Sequence, residues 1–295
     1  TLIRHADMAM YEAKQQGRAM VRFFTPQLNE RAAARLSLEN RLRQALEQGD
    51  FLLHYQPQVD LASGTITGLE ALVRWREGEV LVQPDDFIPL AEECGLILPL
   101  GDWVLHEACR QIRSWRNAGL PPLPVAINLS ALQFRQPDLP GQVAAALAAS
   151  GLGPEALELE LTESVAMADV EVTGKVLQTL AAMGVSLAID DFGTGYSALT
   201  YLKRFPVTRL KVDRSFVQDL EADADNAAIV RAIVNLSHGL GLRVVAEGVE
   251  THGQRDFLHS LGCQSAQGFL FARPLPAEEI HALLLNLVDG PATPQ

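Results

Sequence analysis

The chain has 295 residues, of which 48% are hydrophobic and 20% charged, an ordinary composition for a globular protein. Its net charge of −12 argues against binding of polymeric nucleic acid, because a negative surface repels polyanions, and a small phosphorylated ligand would need cations to reverse the charge locally. The three cysteines are far apart and form no CxxC pair, which argues against a disulfide framework or a thiolate zinc site.

The amino-terminal part reads as the end of one domain followed by a connector. Residues 1–24 have a helical pattern that leads into a short apolar run, and residues 27–47 predict a long polar helix. Because the chain starts at Thr1 inside this pattern, we expect it to be a piece of a longer protein. It contains no apolar run of about 18 residues, so we expect a cytoplasmic domain whose parent protein carries any membrane anchor.

Short apolar runs alternate with helical patterns after Gly49. Eight runs are predicted strands: Phe51–Tyr55, Ile66–Trp75, Val125–Leu129, Leu157–Leu161, Val185–Ile189, Arg209–Val212, Val244–Ala246 and Ala266–Phe271. The predicted helices between them include Leu100–Ala118, Val170–Met183, Ala227–Leu240 and Arg255–Leu261. This alternation predicts an α/β fold, a (β/α)-barrel. The structural rival is an open doubly wound sheet, which usually has fewer strands, and no GxGxxG follows the first predicted strand of this chain.

The first two predicted strands are joined by residues 60–64 alone. A parallel connection needs a dozen or more residues, so this short link predicts that the first strand runs antiparallel to the second. The remaining strands are predicted to be parallel.

Polar residues interrupt or end six of these apolar runs. They are Glu70, Asn128, Glu160, Asp190, Asp191, Lys211, Asp213 and Glu247. A single acid at a strand end usually caps the next helix or lies in solvent, and Glu158 fits that reading. Six ends together are harder to explain in this way, because the carboxyl ends of parallel barrel strands converge on one mouth, where the active sites of this fold lie.

The residue types at this mouth predict a metal site. Converging carboxylates stay ionised only beside cations, and oxygen ligands with one amide suit Mg²⁺ or Mn²⁺, whereas the histidines have no HxH or HExxH spacing for zinc. Adjacent Asp190 and Asp191 suit two ions, although neighbouring strand residues face opposite ways. Both can point inward only if the chain leaves the strand, which Gly193 and Gly195 would allow. The pattern alone therefore supports a two-metal site suited to phosphate chemistry.

Eight segments occur in the order found in EAL-domain cyclic-di-GMP phosphodiesterases, which this chain resembles from about residue 38 to 285. The segments are Tyr55–Pro57, Gly68–Trp75 with its Glu70-Ala71-Leu72, Asn128–Ser130, Glu160–Ser164, Asp190–Ser197, Leu210–Asp213, Ala246–Thr251 and Gln267–Phe269. The resemblance implies a (β/α)8 TIM-like barrel with an antiparallel first strand. It also implies two-metal hydrolysis of the bacterial second messenger cyclic di-GMP to linear pGpG.

The resemblance also implies roles for individual residues. One ion would be held by Glu70, Asn128, Glu160 and Asp190, and the other by Asp190, Asp191 and Glu247. Lys211 would orient or deprotonate the attacking water. Glu163 would steady the loop 191–197, with Glu250 as a further support. Substrate contacts would come from Gln56, Arg74, Asp213 and Gln267.

Residues 6–14 together with Gly17-Arg18 are similar to the last helix and strand of diguanylate cyclase (GGDEF) domains. We therefore expect a GGDEF-like remnant at 1–25, a connector at 26–38, the barrel at 39–290 and a tail at 291–295. The active-site part of the GGDEF-like domain is missing, so the parent would carry both domains in tandem. The resemblance also implies a homodimer.

Two departures from the family pattern leave all proposed ligands in place. Ala198 stands where a second serine is common, and residues 205–208 replace a common leucine-proline-x-aspartate stretch. The alternative function is a cyclic-di-GMP receptor without catalysis, whose members usually lack one or more metal ligands. An enolase-like carboxylate-metal barrel would explain the acids but not the order of the motifs.

Overall fold

The computed structural model describes Met10, residues 26–195 and residues 202–288. The predicted GGDEF-like remnant lies outside the described residues except for Met10, as do Ala198 and the end of the loop that follows Asp191. The chain divides into two compact units: Thr1–Phe51 with Trp75–Ile97, and Leu52–Arg74 with Leu98–Gln295. Among the described residues, no helix has the length and apolar character that a membrane span requires.

The smaller unit contains α1 (Pro26–Gln48), β3 (Val80–Val82) and α2 (Pro84–Glu93). Its apolar centre is aromatic: the Phe87 ring lies 5.7 Å from that of Phe51 and 5.9 Å from that of Trp75. The Arg41 guanidinium of α1 lies 5.8 Å from the Trp75 ring, a cation–π contact. The predicted helix at 27–47 corresponds to α1.

The larger unit is a closed barrel of eight strands, so the rival open sheet is wrong. The strands follow one another around the barrel as β1-β9-β8-β7-β6-β5-β4-β2, and β1 pairs with β2 to close the ring. Phe51 and Trp75–Glu77, at the ends of two strands, belong to the smaller unit. The strand bounds are β1 Phe51–Asp60, β2 Ile66–Glu77, β4 Val125–Asn128, β5 Leu157–Thr162, β6 Ser186–Phe192, β7 Arg209–Val212, β8 Arg243–Ala246 and β9 Ser265–Ala266. A short tenth strand, β10 (Leu275–Pro276), pairs with β1.

The predicted antiparallel first strand is confirmed. β1 pairs antiparallel with β9, with Val59 opposite Ala266, whereas the pairs from β2 through β4 to β9 are parallel. The carboxyl ends of β2 and of β4 to β9 therefore face one mouth of the barrel.

Helices surround the barrel because their apolar residues recur every three or four positions. The helix Ile97–Asn117 has five such residues buried along one side: Leu100, Val104, Ala108, Ile112 and Trp115. The helices of this unit, of which Ile97 alone belongs to the smaller one, are α3 Ile97–Asn117, α4 Ala131–Phe134, α5 Leu139–Ser150, α6 Glu163–Ala168, α7 Val170–Ala182, α8 Arg214–Gln218, α9 Ala224–Leu240, α10 His252–Ser260 and α11 Ala277–Val288.

Several predicted strand bounds differ from the structure, and two differ most. β1 continues beyond Tyr55 to Asp60, because Gln56 and Gln58 are buried inside the barrel although polar residues normally suggest the end of an apolar strand. The last strand covers only Ser265–Ala266 and not the whole run to Phe271, because the chain turns at Gly268, whose carbonyl accepts from the N–H of Phe271.

Replacing Gly268 by alanine is expected to destabilise the protein. A Cβ at this position would lie 2.1 Å from the backbone oxygen of Val249, and backbone cannot move aside as a flexible side chain can. We expect a loss of about 1–3 kcal/mol in the free energy of unfolding, measured by urea denaturation. The control is Gly239→Ala within α9, where a Cβ meets nothing within 4 Å and alanine favours the helix. Equal stability of both variants would contradict the expectation.

Candidate metal centre

A buried lysine lies at the centre of the carboxylates at the barrel mouth. Lys211, on β7, is 1% exposed. Its Nζ lies 2.6 Å from Glu160 Oε2, 2.7 Å from Glu247 Oε1, 3.1 Å from Asp190 Oδ2 and 3.4 Å from Glu70 Oε2. Acids that are up to 177 residues apart in the sequence therefore lie within 3.4 Å of one lysine nitrogen. The predicted barrel requires this convergence of strand ends.

A chain of amides extends this cluster toward β1. Asn128 Nδ2 donates to Glu70 Oε1 at 2.7 Å, and Gln267 Nε2 donates to Glu70 Oε2 at 2.6 Å. The same Gln267 nitrogen donates to Gln56 Oε1 at 2.9 Å, and Gln56 Nε2 donates to the Ala272 carbonyl at 2.9 Å. Gln267 is thus hydrogen-bonded directly to Glu70, a predicted metal ligand, and Gln56 is linked to Glu70 through Gln267. Both glutamines were predicted to contact substrate.

Asp190, Asp191 and Glu247 form a second group, in which one ligand atom from each lies within 4.8 Å of the others. The two acids were predicted to point inward only if the chain left the strand here, but β6 continues to Phe192. Instead, the register shifts between Ile189 and Phe192, and Asp191 adopts φ 53°. Aspartate tolerates this left-handed conformation better than most residues, so the bulge turns both carboxylates toward one place without using a glycine.

The electrostatics reflect crowding of buried charges. Burial raises the pKa of Glu160 well above its ordinary value, and Glu70 and Asp190 add to the effect while Lys211 opposes it. Burial and the neighbouring Asp190 raise the pKa of Asp191 to about 6. Burial also raises the pKa of the Glu247 carboxyl, partly offset by the lysine. These acids would ionise together more readily beside added positive charge.

Burial by itself would lower the pKa of Lys211, but the surrounding carboxylates outweigh it, and the pKa lies well above its ordinary value. The lysine is therefore an ammonium that balances part of the acidic charge. Its positive charge lies between the four carboxylates of the cluster.

The donor set fits divalent cations. Glu160 Oε1 is buried and has no hydrogen-bond partner among the described residues, although a buried carboxylate oxygen normally has one. Asn128 is exposed at the mouth, so a neutral oxygen ligand is accessible beside the acids. Carboxylate and amide oxygens are the ligands that Mg²⁺ and Mn²⁺ prefer.

Two further predicted site residues, Glu163 and Asp213, lie beside the segment that contains Asp191. The N–H of Gly193 donates to Glu163 Oε2 at 3.0 Å, so the acid holds the start of the loop after β6. Asp213 caps α8 by accepting from the N–H of Ser215 at 3.0 Å, and its negative charge contributes to the raised pKa of Asp191. Glu250 is exposed, and Arg74 on β2 is buried.

The interpretation of Glu158 as a cap or solvated residue was wrong. It is 3% exposed, and its Oε1 lies 3.1 Å from Arg209 Nη1. Arg209 was not singled out in the sequence because an arginine at the start of a strand usually lies in solvent. The signal that could have found the pair is spacing: each residue lies two positions before a buried charged residue of the cluster.

Comparison with known proteins connects this arrangement to a family. Residues 39–274 match the family model of the EAL domain. The chain is 51% identical over 282 residues to the bifunctional diguanylate cyclase/cyclic di-GMP phosphodiesterase MucR of Pseudomonas aeruginosa, covering 95% of this chain and 41% of MucR. It is 43% identical over 277 residues to the cyclic di-GMP phosphodiesterase PdeR of Escherichia coli, covering 94% and 42%.

A solved structure agrees with these matches. The PaMucR phosphodiesterase in complex with c-di-GMP superposes with a TM-score of 0.81 at 52% identity, covering 83% of this chain and 99% of that one. The chain spans about two fifths of the length of the curated relatives MucR and PdeR. The family match covers most of the chain and includes every strand of the closed barrel. The chain therefore belongs to the EAL-domain family.

Proposed function

We propose that this chain is a phosphodiesterase that hydrolyses cyclic di-GMP to linear pGpG. The observation that carries the proposal is the convergence of Glu70, Glu160, Asp190 and Glu247 within 3.4 Å of Lys211 Nζ, with Asp191 beside them. Family membership and the named activities of MucR and PdeR support the choice of substrate. An enolase-like enzyme would share the acids but not these relatives.

Two Mg²⁺ or Mn²⁺ ions are proposed as the cofactors. Glu70, Asn128, Glu160 and Asp190 would hold one, and Asp190, Asp191 and Glu247 would hold the other. Divalent ions bound there would neutralise phosphate oxygens, lower the pKa of water and stabilise the leaving oxygen. In the reaction, a water oxygen bonds to phosphorus, the bond from phosphorus to the 3′-oxygen breaks, and the proton from water ends on that 3′-oxygen.

Lys211 is proposed to orient or deprotonate the attacking water. The surrounding carboxylates outweigh burial and hold the pKa of Lys211 well above its ordinary value. Cations bound to the same carboxylates would lower this pKa, so both roles are part of the proposal.

Substrate binding is assigned to Gln56, Arg74, Asp213 and Gln267. Gln267 donates hydrogen bonds to both Gln56 and Glu70. This proposed substrate-binding side chain therefore also helps to position Glu70, a proposed metal ligand. Arg74 offers a guanidinium suited to a phosphate or a guanine edge. Glu163 is assigned the support of the loop after β6 through the N–H of Gly193, and Glu250 a further supporting role.

The wider organisation remains part of the proposal. We assign 1–25 to a GGDEF-like remnant, 26–38 to a connector, 39–290 to the barrel and 291–295 to a tail, with the rest of a GGDEF-like domain upstream in the parent protein. We also propose a homodimer. Sedimentation of the active protein at micromolar concentration tests this last point, and a monomer alone would contradict it.

The test of function is nucleotide chromatography after incubation with cyclic di-GMP. We expect pGpG with Mg²⁺ or Mn²⁺ and none with Ca²⁺. Calcium forms longer bonds in a more flexible coordination geometry, so we expect the substrate to bind without the alignment that the reaction needs. Glu70→Ala is expected to abolish the product, because it removes a ligand from the centre of the cluster. The matched control is Glu155→Ala, an exposed acid outside the site that should turn over normally. Tight binding with no pGpG in the unchanged protein would instead favour the non-catalytic receptor.

A further inference from the structure

A second charged layer lies inside the barrel beneath the metal centre. Arg209 Nη1 donates to Glu158 Oε1 at 3.1 Å and to Gln58 Oε1 at 3.0 Å. The side chains of Arg209 and Glu158 are 13% and 4% exposed, and Gln58 is 1% exposed. A buried ion pair is costly to desolvate, so its presence in a barrel interior calls for an explanation beyond stability.

The layer follows the strands that carry the metal centre. Glu158 and Glu160 are two residues apart on β5, and Arg209 and Lys211 are two residues apart on β7. Because strand side chains alternate, each pair shares the inner face, about 7 Å apart along the strand. Glu158 and Arg209 therefore lie next to Glu160 and Lys211, two central residues of the site, on the inner face of the same strands.

Small residues make room for Arg209 to reach across the barrel. Ala188 on β6 is in register with Arg209 on β7 and with Glu160 on β5. Gly68 on β2 also leaves space, since a Cβ there would lie 3.2 Å from Gln58 Oε1. The guanidinium of Arg209 on β7 thus joins Glu158 on β5 to Gln58 on β1.

The charge balance of the two layers differs. The upper layer has the acids Glu70, Glu160, Asp190, Asp191 and Glu247 against one lysine, whereas the lower layer pairs one acid with one arginine. In a barrel interior, where the effective dielectric constant is well below that of water, a charge two residues along the strand from a metal ligand changes the binding free energy of the cation. Removing either member of the pair would therefore act on the upper layer.

We propose that Glu158 and Arg209 form a charge-balancing layer that sets the affinity of the metal centre for divalent cations. The inference rests on the proposed function for the presence of those cations. Neither residue touches the reacting atoms, so both act through the field at the ligands above them. A merely structural pair would change stability, but it would not change cation affinity with a sign that follows its charge.

Three variants separate the two roles. Glu158→Gln adds one positive charge to the layer, and we expect it to weaken Mn²⁺ binding about tenfold. Gln58→Glu adds one negative charge, and we expect it to tighten binding by a similar factor. Its carboxylate retains the acceptor that Arg209 uses, and it replaces a buried Nε2 that has no partner among the described residues. The double variant moves the acid from β5 to β1, and its dissociation constant should stay within about threefold of the unchanged protein.

The measurement is Mn²⁺ titration of the substrate-free protein, with free Mn²⁺ followed by electron paramagnetic resonance. Shifts of the two single variants in the same direction, or neither above about twofold, would overturn the inference. If Glu158→Gln does not fold, Gln58→Glu decides alone: tighter binding supports the layer, and unchanged or weaker binding refutes it. Failure of the unchanged protein to bind Mn²⁺ would instead overturn the proposed function, so the two failures are distinct.

Discussion

Replacing Asp190 by asparagine is expected to lower kcat for cyclic di-GMP hydrolysis by roughly 10³-fold, because both proposed ions share this residue. The change is nearly isosteric. The asparagine oxygen can still accept from the N–H of Asp191, as Asp190 Oδ1 does at 2.9 Å. The opposite atom becomes an amide that faces Lys211 Nζ, now 3.1 Å from Oδ2, and two donors then oppose each other. The variant thus removes charge and one acceptor but not the local backbone bond.

A second readout distinguishes loss of the shared ligand from general damage. Mn²⁺ titration should show weaker binding of both ions in Asp190→Asn, since the residue belongs to both proposed ligand sets. Replacing a residue such as Asn128, which is proposed for one ligand set only, should weaken the binding of one ion and leave the binding of the other unchanged. Binding of both ions with unchanged affinity in Asp190→Asn would contradict the assignment of this residue as the bridge.

The matched control is Asp169→Asn at the start of α7. Asp169 Oδ1 accepts from the N–H of Val172 at 3.2 Å, and asparagine caps a helix about as well as aspartate. The same chemical substitution outside the site should therefore leave kcat and Mn²⁺ affinity unchanged. A comparable loss of activity in this control would attribute the effect to the substitution type and not to the metal centre.

The barrel and the central acids were predictable from the sequence for one physical reason. Parallel strands bring their carboxyl ends together, so acids that interrupt distant apolar runs must meet. Glu70, Glu160, Asp190 and Glu247 do so around Lys211. The antiparallel first strand was also predictable, because five connecting residues cannot hold a crossover.

Other features depend on backbone detail that residue patterns do not encode. The register shift beside Asp191 places its carboxylate next to that of Asp190, whereas strict alternation would point it away. The buried Gln56 and Gln58 resemble loop residues in the sequence, because only their position inside a closed barrel explains a polar strand interior. The Glu158–Arg209 pair was missed for a different reason: charged residues at strand ends usually lie in solvent, although the spacing from Glu160 and Lys211 indicated the inner face.

Replacing Lys211 by methionine is expected to have opposite effects on two properties. Methionine fills much of the same volume but leaves four crowded carboxylates without their counter-charge. In the absence of metal we expect the free energy of unfolding to fall by about 3–5 kcal/mol, the usual result when one partner of a buried charge network is removed. Saturating Mn²⁺ should then stabilise this variant more than the unchanged protein, because ions replace the missing positive charge.

Activity should behave differently from stability. If Lys211 orients the attacking water, kcat should stay roughly 10²-fold low even when Mn²⁺ has restored the melting temperature. The control is Lys175→Met on the exposed side of α7, where neither property should change. Recovery of full kcat in Lys211→Met with saturating Mn²⁺ would show that the lysine only balances the acids before ions bind. Low kcat together with recovered stability requires a role in the reaction itself, because the folded site and its ions would both be present.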